Sequence, residues 1–477
     1  MGGGDSPAPP LCVDLDGTLL LSDIGLESVL ALLRQRPWLL LALPFWLLGG
    51  LASAKRRVAK RVRMACDTLP YDDRVVAWLR QQAANRERVL ASASDSLLVE
   101  AVANHLGLFD AVIASDGQRN LAGSAKAEAL VARYGESGFD YAGNGRADLQ
   151  VWPHARQIIV ANANARVAAA AARIATPSRI FPRQTGNPAA LLAALRLHQW
   201  LKNLLLFVPM LAAHRWNDAR LLVDAGWAWL AFGLCASGTY LLNDLLDLDA
   251  DRRHPRKRLR PLASGTLDLW QGLALAPLLV ALAFALAAWR LPPPFTWMLA
   301  AYLVLTLAYS GGFKRVAFID VIVLAALYTL RLLAGGGATT TPVSLWLISF
   351  AMFLFLGLAL LKRYTELLDL RERQCSSVAG RGYAVVDLPL VLAFGIGSGL
   401  LSVLVLALYI DSAAGEALYH QPTRLVLLCP LLLYWSARAW LIAHRGAMHD
   451  DPLVFAARDP ASWLLLLLST GIIWSAI

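Results

Sequence analysis

The chain has 477 residues, of which 57% are hydrophobic and 16% are charged, a composition that excludes both a disordered chain and an ordinary soluble enzyme. The formal net charge is +10, but the basic residues cluster in short loops between apolar runs. This placement predicts membrane surfaces and anionic phosphate ligands rather than a nucleic acid. The five cysteines include no CxxC pair, which argues against a zinc site or a disulfide framework.

The N-terminal part, residues 1–178, alternates short apolar strands with amphipathic helical stretches, as expected of a parallel α/β sheet. The predicted strands are LCVDL, RVLASAS, AVIAS, FDYAGN and QIIVAN. Pro, Gly, Thr and Arg concentrate over 176–190, which predicts a linker at 179–190 before a membrane domain over 191–477. The N-terminus lacks the pattern of a cleaved signal peptide, so we expect the first domain in the cytoplasm.

One segment of the first domain, 37–51 or PWLLLALPFWLLGGL, is short for a membrane span yet too apolar for a solvated loop. The basic run AKRRVAKRVR follows it. We interpret 37–51 as an interfacial element whose basic neighbour contacts anionic lipid, with a buried core helix as the alternative.

The membrane domain is predicted as an all-α bundle of about nine spans, because apolar segments of roughly 20 residues recur along it. These segments are 197–213, 222–243, 269–290, 295–311, 316–334, 343–361, 388–410, 424–443 and 461–477. The loops after the even-numbered segments carry most of the lysines and arginines, which predicts that they and the first domain are cytoplasmic and that the C-terminus is outside.

Two acids follow the first predicted strand, in Asp14-Leu15-Asp16-Gly17. Strand geometry places Asp14 and Asp16 on one side of the chain, and Gly17 permits a sharp turn behind them. Two such acids can share a metal while one attacks phosphorus and the other handles the leaving-group proton. An ordinary strand that ends in an Asp-Gly turn is the alternative.

Further polar residues follow in a suggestive order: Ser92 or Ser94 after the second strand, Lys126 at the start of a helix, and GNGRAD at 143–148. Strand ends at one edge of a parallel sheet are where ligands bind. Over about 10–175 the sequence resembles the haloacid dehalogenase (HAD) phosphatase superfamily.

The HAD resemblance implies a role for each of these residues. The implied roles are Asp14 as nucleophile, Asp16 as acid and base, Ser92 and Lys126 as phosphoryl ligands, and Asp14, Asp16 and Asp148 as Mg²⁺ ligands. Asn144 stands where the family usually has an acid, and an amide is a weaker Mg²⁺ ligand. An active phosphatase and a degenerate phosphate-binding or regulatory domain therefore both remain possible.

A second acidic cluster lies at the end of the second apolar segment, in TYLLNDLLDLDAD. At 100° per residue, Asn243, Asp247 and Asp251 share one helix face with Asp244 beside them, whereas Asp249 falls on the other side. Placing a carboxylate near the end of a membrane segment costs free energy, so a cluster of them needs a functional reason. A row of carboxylates on one helix face can hold Mg²⁺, and Mg²⁺ can bridge a diphosphate. Acids that simply pair with the arginines after them are the structural alternative.

NDxxDxxxD in this place resembles the UbiA-type intramembrane prenyltransferase superfamily, over about 185–477. That resemblance implies a membrane cavity for a polyprenyl chain, with diphosphate chemistry at its cytoplasmic mouth. Quinone and haem branches usually carry a second acidic motif after the sixth span, where this chain has KRYTEL at 362–367. With HQWLKN at 198–203 and AMHDDPLVFAARD at 447–459, the chain resembles the decaprenyl-phosphate phosphoribosyltransferase branch.

This resemblance implies a phosphoribosyl diphosphate (PRPP) donor and a polyprenyl phosphate acceptor. The donor carries a second phosphate, so its site needs cations beyond those of a prenyl diphosphate site. The implied substrate-binding residues are Lys202, Asn203, Asn243, Arg252, Lys257, Lys314, Lys362, Arg363, Tyr364 and Glu366, and the implied catalytic and metal residues are Asp244, Asp247 and Asp251, with Asn243 as a further metal ligand. For Lys257 and Arg363, a positive-inside topology signal is the alternative.

The sequence thus predicts a two-domain protein of a bacterial inner membrane, with one Mg²⁺ site in each domain. The membrane domain transfers 5-phosphoribose from PRPP to a polyprenyl phosphate, and the attached phosphatase removes the 5-phosphate of the product. Prenyl transfer from a polyprenyl diphosphate to an aromatic acceptor and a membrane scaffold with inactive sites are the alternatives. The oligomeric state is not determined by the sequence.

Overall fold

The structure is a computed structural model that describes residues 8–83, 85–184, 188–372, 382–448 and 452–477. Residues 449–451 of the 447–459 motif therefore lie outside the described residues. The chain forms two compact units. We name Met1–Arg196 with Tyr240–Pro277 the α/β unit, and Leu197–Thr239 with Leu278–Ile477 the helical unit.

The α/β unit contains a six-stranded sheet in the order β3-β2-β1-β4-β5-β6, and every pair of neighbours is parallel. The strands are β1 (Leu11–Asp14), β2 (Arg88–Asp95), β3 (Ala111–Ser115), β4 (Asp140–Gly143), β5 (Gln157–Ala161) and β6 (Arg179–Phe181). β1 and β4 are buried throughout, as expected of central parallel strands covered on both faces. The predicted α/β class and parallel sheet are confirmed.

The sixth strand lies within the stretch that the sequence predicts as a linker. Its backbone pairs with β5, with Val160 opposite Ile180, and Phe181 is buried. A strand of three residues among prolines and arginines offers too short a pattern to be recognised from the sequence.

The described parts of the chain contain twenty α-helices. They are α1 (Ile24–Gln35), α2 (Leu43–Leu48), α3 (Leu51–Ala59), α4 (Asp73–Arg80), α5 (Ser96–Leu106), α6 (Ser124–Tyr134), α7 (Ala165–Ile174), α8 (Pro188–Leu195), α9 (Val208–Ala212), α10 (Ala219–Leu246), α11 (Leu248–Arg253), α12 (Leu269–Arg290), α13 (Pro293–Gly311), α14 (Ile319–Ala338), α15 (Leu345–Glu372), α16 (Leu388–Ile410), α17 (Ala413–Leu418), α18 (Leu428–His444), α19 (Pro452–Arg458) and α20 (Pro460–Ala476). Among them, α1 and α5 begin at aspartates, Asp23 and Asp95, whose side chains accept backbone N–H groups of the first turn.

Within the described residues, seven helices are long and apolar enough to cross a membrane. They are Ala219–Leu246, Leu269–Arg290, Pro293–Gly311, Ile319–Ala338, Leu345–Glu372, Val385–Ile410 and Pro422–His444. The protein is therefore a membrane protein with several apolar helices, but the nine predicted spans are not confirmed.

The two remaining segments fold differently from a full span. Residues 197–213 form a 3-10 helix, Leu197–Phe207, and then the short α9. Pro209 lies in the first turn of α9, where a backbone N–H has no partner within the helix, so its absence costs no hydrogen bond. In a single continuous helix over 197–213, the same proline would remove a helical hydrogen bond. The last segment forms α20, whose 17 residues span about 26 Å against the roughly 30 Å of a bilayer core.

The apolar segment 37–51 folds as a 3-10 helix, Pro37–Ala42, followed by α2 and the start of α3. Trp38, Leu41, Phe45 and Leu48 have 65%, 79%, 71% and 86% of their surface exposed. These exposures exclude the alternative of a buried core helix. A contiguous exposed apolar surface of this kind marks an interaction site, so membrane contact by 37–51 stays a prediction.

Candidate active site

The two acids after β1 lie where the sequence places them, at the carboxyl end of the central strand. Asp14 is buried, and the Lys126 ammonium group at the start of α6 lies 2.6 Å from its Oδ1. Asp16 accepts the Ile24 N–H at 2.7 Å and the Ser94 hydroxyl at 2.9 Å. The sheet topology therefore brings Asp14, Asp16, Ser94 and Lys126 together from three different strand ends.

Burial dominates the electrostatics of this cluster. Burial raises the pKa of Asp14 to about 7, against the opposing effect of Lys126, and burial followed by repulsion from Asp23 raises the pKa of Asp16 to about 6. Burial alone would lower the pKa of Lys126, but the Asp14 and Asp148 carboxylates outweigh it and raise that pKa. The site thus holds more buried negative charge than Lys126 alone neutralises.

The GNGRAD loop after β4 supplies the third carboxylate. Asp148 accepts the backbone N–H groups of Asn144 and Gly145, both at 2.9 Å. Its other oxygen accepts the Tyr141 hydroxyl at 2.7 Å and lies 3.6 Å from the Lys126 ammonium group. Sequence reasoning missed Tyr141, whose position inside β4 carries no motif signal.

Both candidate serines lie near the end of β2, and Ser94 lines the cavity above the acids. The Ser92 hydroxyl is fully buried, accepts the Ser94 backbone N–H at 3.0 Å and donates to Asp16 at 3.3 Å. Both hydroxyls therefore contact Asp16, and the assignment of Ser92 or Ser94 to a phosphoryl group stays a prediction. Lys55 of α3 also lines this cavity and donates to the Ala93 carbonyl at 2.7 Å; the sequence analysis treated it only as part of a basic run.

Mg²⁺ fits this site by donor chemistry. Asp14, Asp16 and Asp148 line one cavity, and carboxylate oxygens are the ligands that Mg²⁺ prefers. The raised pKa values of Asp14 and Asp16 indicate buried negative charge that a cation would stabilise. Within the part of the chain that the structure describes, however, no three His, Cys, Asp or Glu side chains are grouped closely enough to hold a metal as they stand.

Gly17 explains why the turn behind the acids needs glycine. Its φ is +76°, and a Cβ added there would overlap the Asn144 side-chain amide. We expect Gly17→Ala to lower the free energy of unfolding by more than the roughly 1 kcal/mol of left-handed strain.

Gly107→Ala is the matched control for this prediction. Gly107 also has a left-handed φ, +60°, but an added Cβ would meet nothing within 4 Å. Thermal unfolding of both variants measures the difference, and equal destabilisation would contradict the proposed overlap with Asn144.

The residues Asn243, Asp247 and Asp251 of the acidic motif lie on one helix face, as the sequence predicts. α10 ends at Leu246, but the Asp247 N–H donates to the Asn243 carbonyl at 2.9 Å, and the Asp251 N–H donates to the Asp247 carbonyl at 2.8 Å. The helical hydrogen-bond pattern therefore continues through the break, and Asn243, Asp247 and Asp251 remain on one face.

Two of these acids are paired with arginines. Asp244 contacts Arg196 at 2.5 Å and Arg260 at 3.0 Å, and Arg260 also contacts Asp251 at 2.5 Å. Oxygen donors for Mg²⁺ are present on this face, but Arg260 bridges two of them. The structural alternative, acids paired with following arginines, thus describes part of this arrangement.

Arg252 is buried and forms a salt bridge with Glu27 of α1, with the closest atoms 2.5 Å apart. The Arg252 guanidinium also donates to the Ala263 carbonyl at 3.0 Å. Its charge is therefore compensated within the α/β unit. Lys257, in the loop that follows, is half-buried.

In the helical unit, the 362–367 stretch contains an arginine whose charge is compensated by acids. The Arg363 side chain is 1% exposed, lies 2.6 Å from Asp320 of α14 and also pairs with Glu366. The Tyr383 hydroxyl donates to the other Asp320 oxygen at 2.6 Å. Arg363 thus joins α14 to α15 rather than adding uncompensated positive charge.

The remaining predicted residues of the helical unit lie on three elements. The Tyr364 hydroxyl is 2.8 Å from His444 Nδ1, and the Asn203 side-chain oxygen accepts from Arg331 at 3.0 Å. The Lys202 ammonium group lies 5.6 Å from the centre of the Tyr328 ring. Lys314 and Lys362 are half-buried. The sequence analysis missed Arg331, a buried cation within α14 that also lies over three aromatic rings.

Residues 204–473 match the UbiA prenyltransferase family. This match covers more than half of the chain, and the protein therefore belongs to that family.

Individual relatives extend this result. The uncharacterized protein y4nM of Sinorhizobium fredii is 35% identical over 460 residues, which cover 96% of this chain and 89% of that protein. The decaprenyl-phosphate phosphoribosyltransferase of Mycobacterium tuberculosis is 37% identical over 202 residues, which cover 41% of this chain and 66% of that protein. The similarity lies in the C-terminal part of this chain. A solved UbiA homologue of Archaeoglobus fulgidus bound to GPP and Mg²⁺ has a TM-score of 0.46 at 18% identity, covering 60% of this chain and 99% of its own.

Proposed function

We propose that the membrane domain transfers 5-phosphoribose from PRPP to a polyprenyl phosphate. The observation that carries the proposal is the 37% identity to decaprenyl-phosphate phosphoribosyltransferase over 202 residues. The basic KRYTEL stretch, at the place where aromatic prenyltransferases usually have a second acidic motif, supports it. We assign the contact with the donor to Lys362 of that stretch, a cation of the kind that binds phosphate.

In this proposal the acidic face around Asp247 positions the diphosphate of the donor, and Mg²⁺, when bound, would neutralise the departing diphosphate. Arg260, which bridges Asp244 and Asp251, is a further cation of this face that would bind a phosphate of the donor. The polyprenyl phosphate is already an anion and needs no general base, only alignment with the anomeric carbon. We place this chemistry at the cytoplasmic side of a bacterial inner membrane and keep 191–477 as the transferase domain.

The test is incubation of the purified protein with labelled PRPP, a polyprenyl phosphate and Mg²⁺, which should give a labelled organic-soluble lipid and diphosphate. Geranyl or farnesyl diphosphate with 4-hydroxybenzoate should give no product. A prenylated aromatic product together with an unlabelled lipid fraction would overturn the proposal in favour of aromatic prenyl transfer.

Lys362→Ala should weaken the use of PRPP about tenfold or more, mainly through KM, because a cation on a phosphate of the donor acts in the ground state as well as in the transition state. Steady-state kinetics with varied PRPP measures this change. A fall in kcat at unchanged KM would contradict the assignment of Lys362 to donor binding.

For the α/β domain over 1–178 we propose a HAD-type phosphatase. Asp14 attacks phosphorus, the bond from phosphorus to the ester oxygen breaks, and Asp16 gives a proton to the leaving alcohol. Water then cleaves the aspartyl phosphate, Asp16 accepts the proton, and inorganic phosphate leaves. Lys126 and Ser94 hold the phosphoryl oxygens, and Mg²⁺, when bound by Asp14, Asp16 and Asp148, would neutralise them. A natural substrate is the 5-phosphate of the transferase product.

A further inference from the structure

The cavity above Asp14 and Asp16 has two chemically different parts. Its volume is about 620 Å³. The polar part holds five carboxylates and several other polar groups, those of Asp14, Asp16, Asp23, Asp95, Asp148, Ser94, Lys55, Lys126 and Asn144. The remaining wall is apolar and is built by α1, α2, α3, α5 and the start of α12; its larger side chains are Leu26, Val29, Leu43, Leu47, Leu51, Val58, Leu98, Trp270 and Leu273. A phosphate bound at Asp14 therefore has hydrocarbon side chains beside the rest of its molecule.

The apolar wall continues onto the surface of the unit. Leu47 and Leu51 line the cavity and yet have 48% and 52% of their surface exposed. They belong to the same short segment as the exposed Trp38, Leu41 and Phe45. The apolar wall of the cavity is therefore partly exposed at the surface, an arrangement that favours entry of a ligand from a lipid phase.

A second element of the cavity wall comes from a helix that is long and apolar enough to cross a membrane. Trp270 and Leu273 lie in the first turns of α12, one of the helices long and apolar enough to cross a bilayer. Trp270 is 55% exposed, and its indole N–H lies 3.4 Å from the Asp23 carboxylate. Tryptophan at the end of a membrane helix is typical of the interface between lipid and water.

We propose that the α/β site hydrolyses a phosphate monoester carried by a membrane lipid, with the hydrocarbon chain lying along the wall formed by Leu43, Leu47, Leu51 and Leu273. The phosphoryl group passes to Asp14 and then to water, while the lipid alcohol keeps its own oxygen and receives a proton from Asp16. This inference rests on the proposed phosphatase and adds its substrate class. Small soluble sugar phosphates are poor substrates in this proposal because they leave the apolar wall uncovered.

The experiment compares butyl phosphate with dodecyl phosphate, two esters with the same reacting group, on the full-length protein in lipid nanodiscs. The kcat/KM of dodecyl phosphate should exceed that of butyl phosphate by about 100-fold or more, because each buried methylene adds to binding. Leu47→Asn and Leu51→Asn should each lower this ratio about tenfold.

Leu41→Asn is the matched control, because Leu41 belongs to the same exposed segment but does not line the cavity. It should leave the ratio unchanged. An equal loss in Leu41→Asn would assign the preference to general membrane adhesion and overturn the inference. Equal kcat/KM for the two esters would overturn the lipid substrate but keep the phosphatase, whereas hydrolysis of neither ester by the wild type would overturn the phosphatase itself.

Discussion

Asp247→Asn is expected to abolish transfer from PRPP while the protein still inserts into membranes and purifies as the wild type does. The substitution keeps the shape of the side chain but replaces a carboxylate by an amide, a weaker ligand for Mg²⁺. Asp247 lies on the helix face that it shares with Asn243 and Asp251, the face proposed to position the diphosphate of the donor.

Asp249→Asn is the matched control for this prediction. Asp249 lies two residues away but off the face shared by Asn243, Asp247 and Asp251, and its side chain is 37% exposed, so its substitution should leave transfer largely unchanged. Formation of labelled lipid from PRPP measures both variants, and EDTA should stop the wild-type reaction until Mg²⁺ is added back. Near-normal turnover by Asp247→Asn would remove the proposed site.

Asp14→Asn should abolish hydrolysis of phosphate esters and leave transfer from PRPP largely intact. The amide cannot form the covalent aspartyl phosphate. Lys126, which lies 2.6 Å from Asp14, also lies 3.0 Å from the Tyr141 hydroxyl and 3.6 Å from Asp148, so the variant should keep its fold.

The two activities are measured on the same preparation, by phosphate release and by labelled lipid formation. Loss of both in a well-folded Asp14→Asn protein would argue for one composite site. A wild type without phosphatase activity would favour the degenerate phosphate-binding domain that Asn144 suggests, in place of the HAD-type enzyme.

The sequence predicts the sheet well where its signal is local and periodic. Strands β1 to β5 are short apolar runs followed by polar residues, and the parallel topology then brings Asp14 and Lys126 together although 112 residues separate them. The sequence does not predict β6, because a strand of three residues is too short to show the alternation of apolar and polar residues that marks a strand. The choice between Ser92 and Ser94 was also beyond the sequence, since it depends on where β2 curves at the register shift between Ser92 and Asp95.

The charged residues of the membrane domain show the limit of sequence reasoning more clearly. From the sequence alone, a run of basic residues indicates excess positive charge, but Arg363 pairs with Asp320, 43 residues earlier in the chain. In the same way, the acidic residue Asp244 pairs with Arg196, 48 residues earlier. Such pairs form between helices whose packing angles no local pattern reveals. The positions of candidate site residues could be predicted, but their electrostatic partners could not.

The salt bridge between Arg252 and Glu27 has a consequence for dissecting this protein. It joins residues 225 positions apart within the α/β unit, and the Glu27 side chain is only 1% exposed. A fragment that ends near residue 178 lacks this countercharge, and breaking a buried ion pair in this way costs about 3–5 kcal/mol. That is a large share of the roughly 5–15 kcal/mol that holds a typical domain folded. We therefore expect such a fragment to be less stable than the same residues in the full chain, because part of what stabilises them comes from a stretch that follows the first long apolar helix in the sequence.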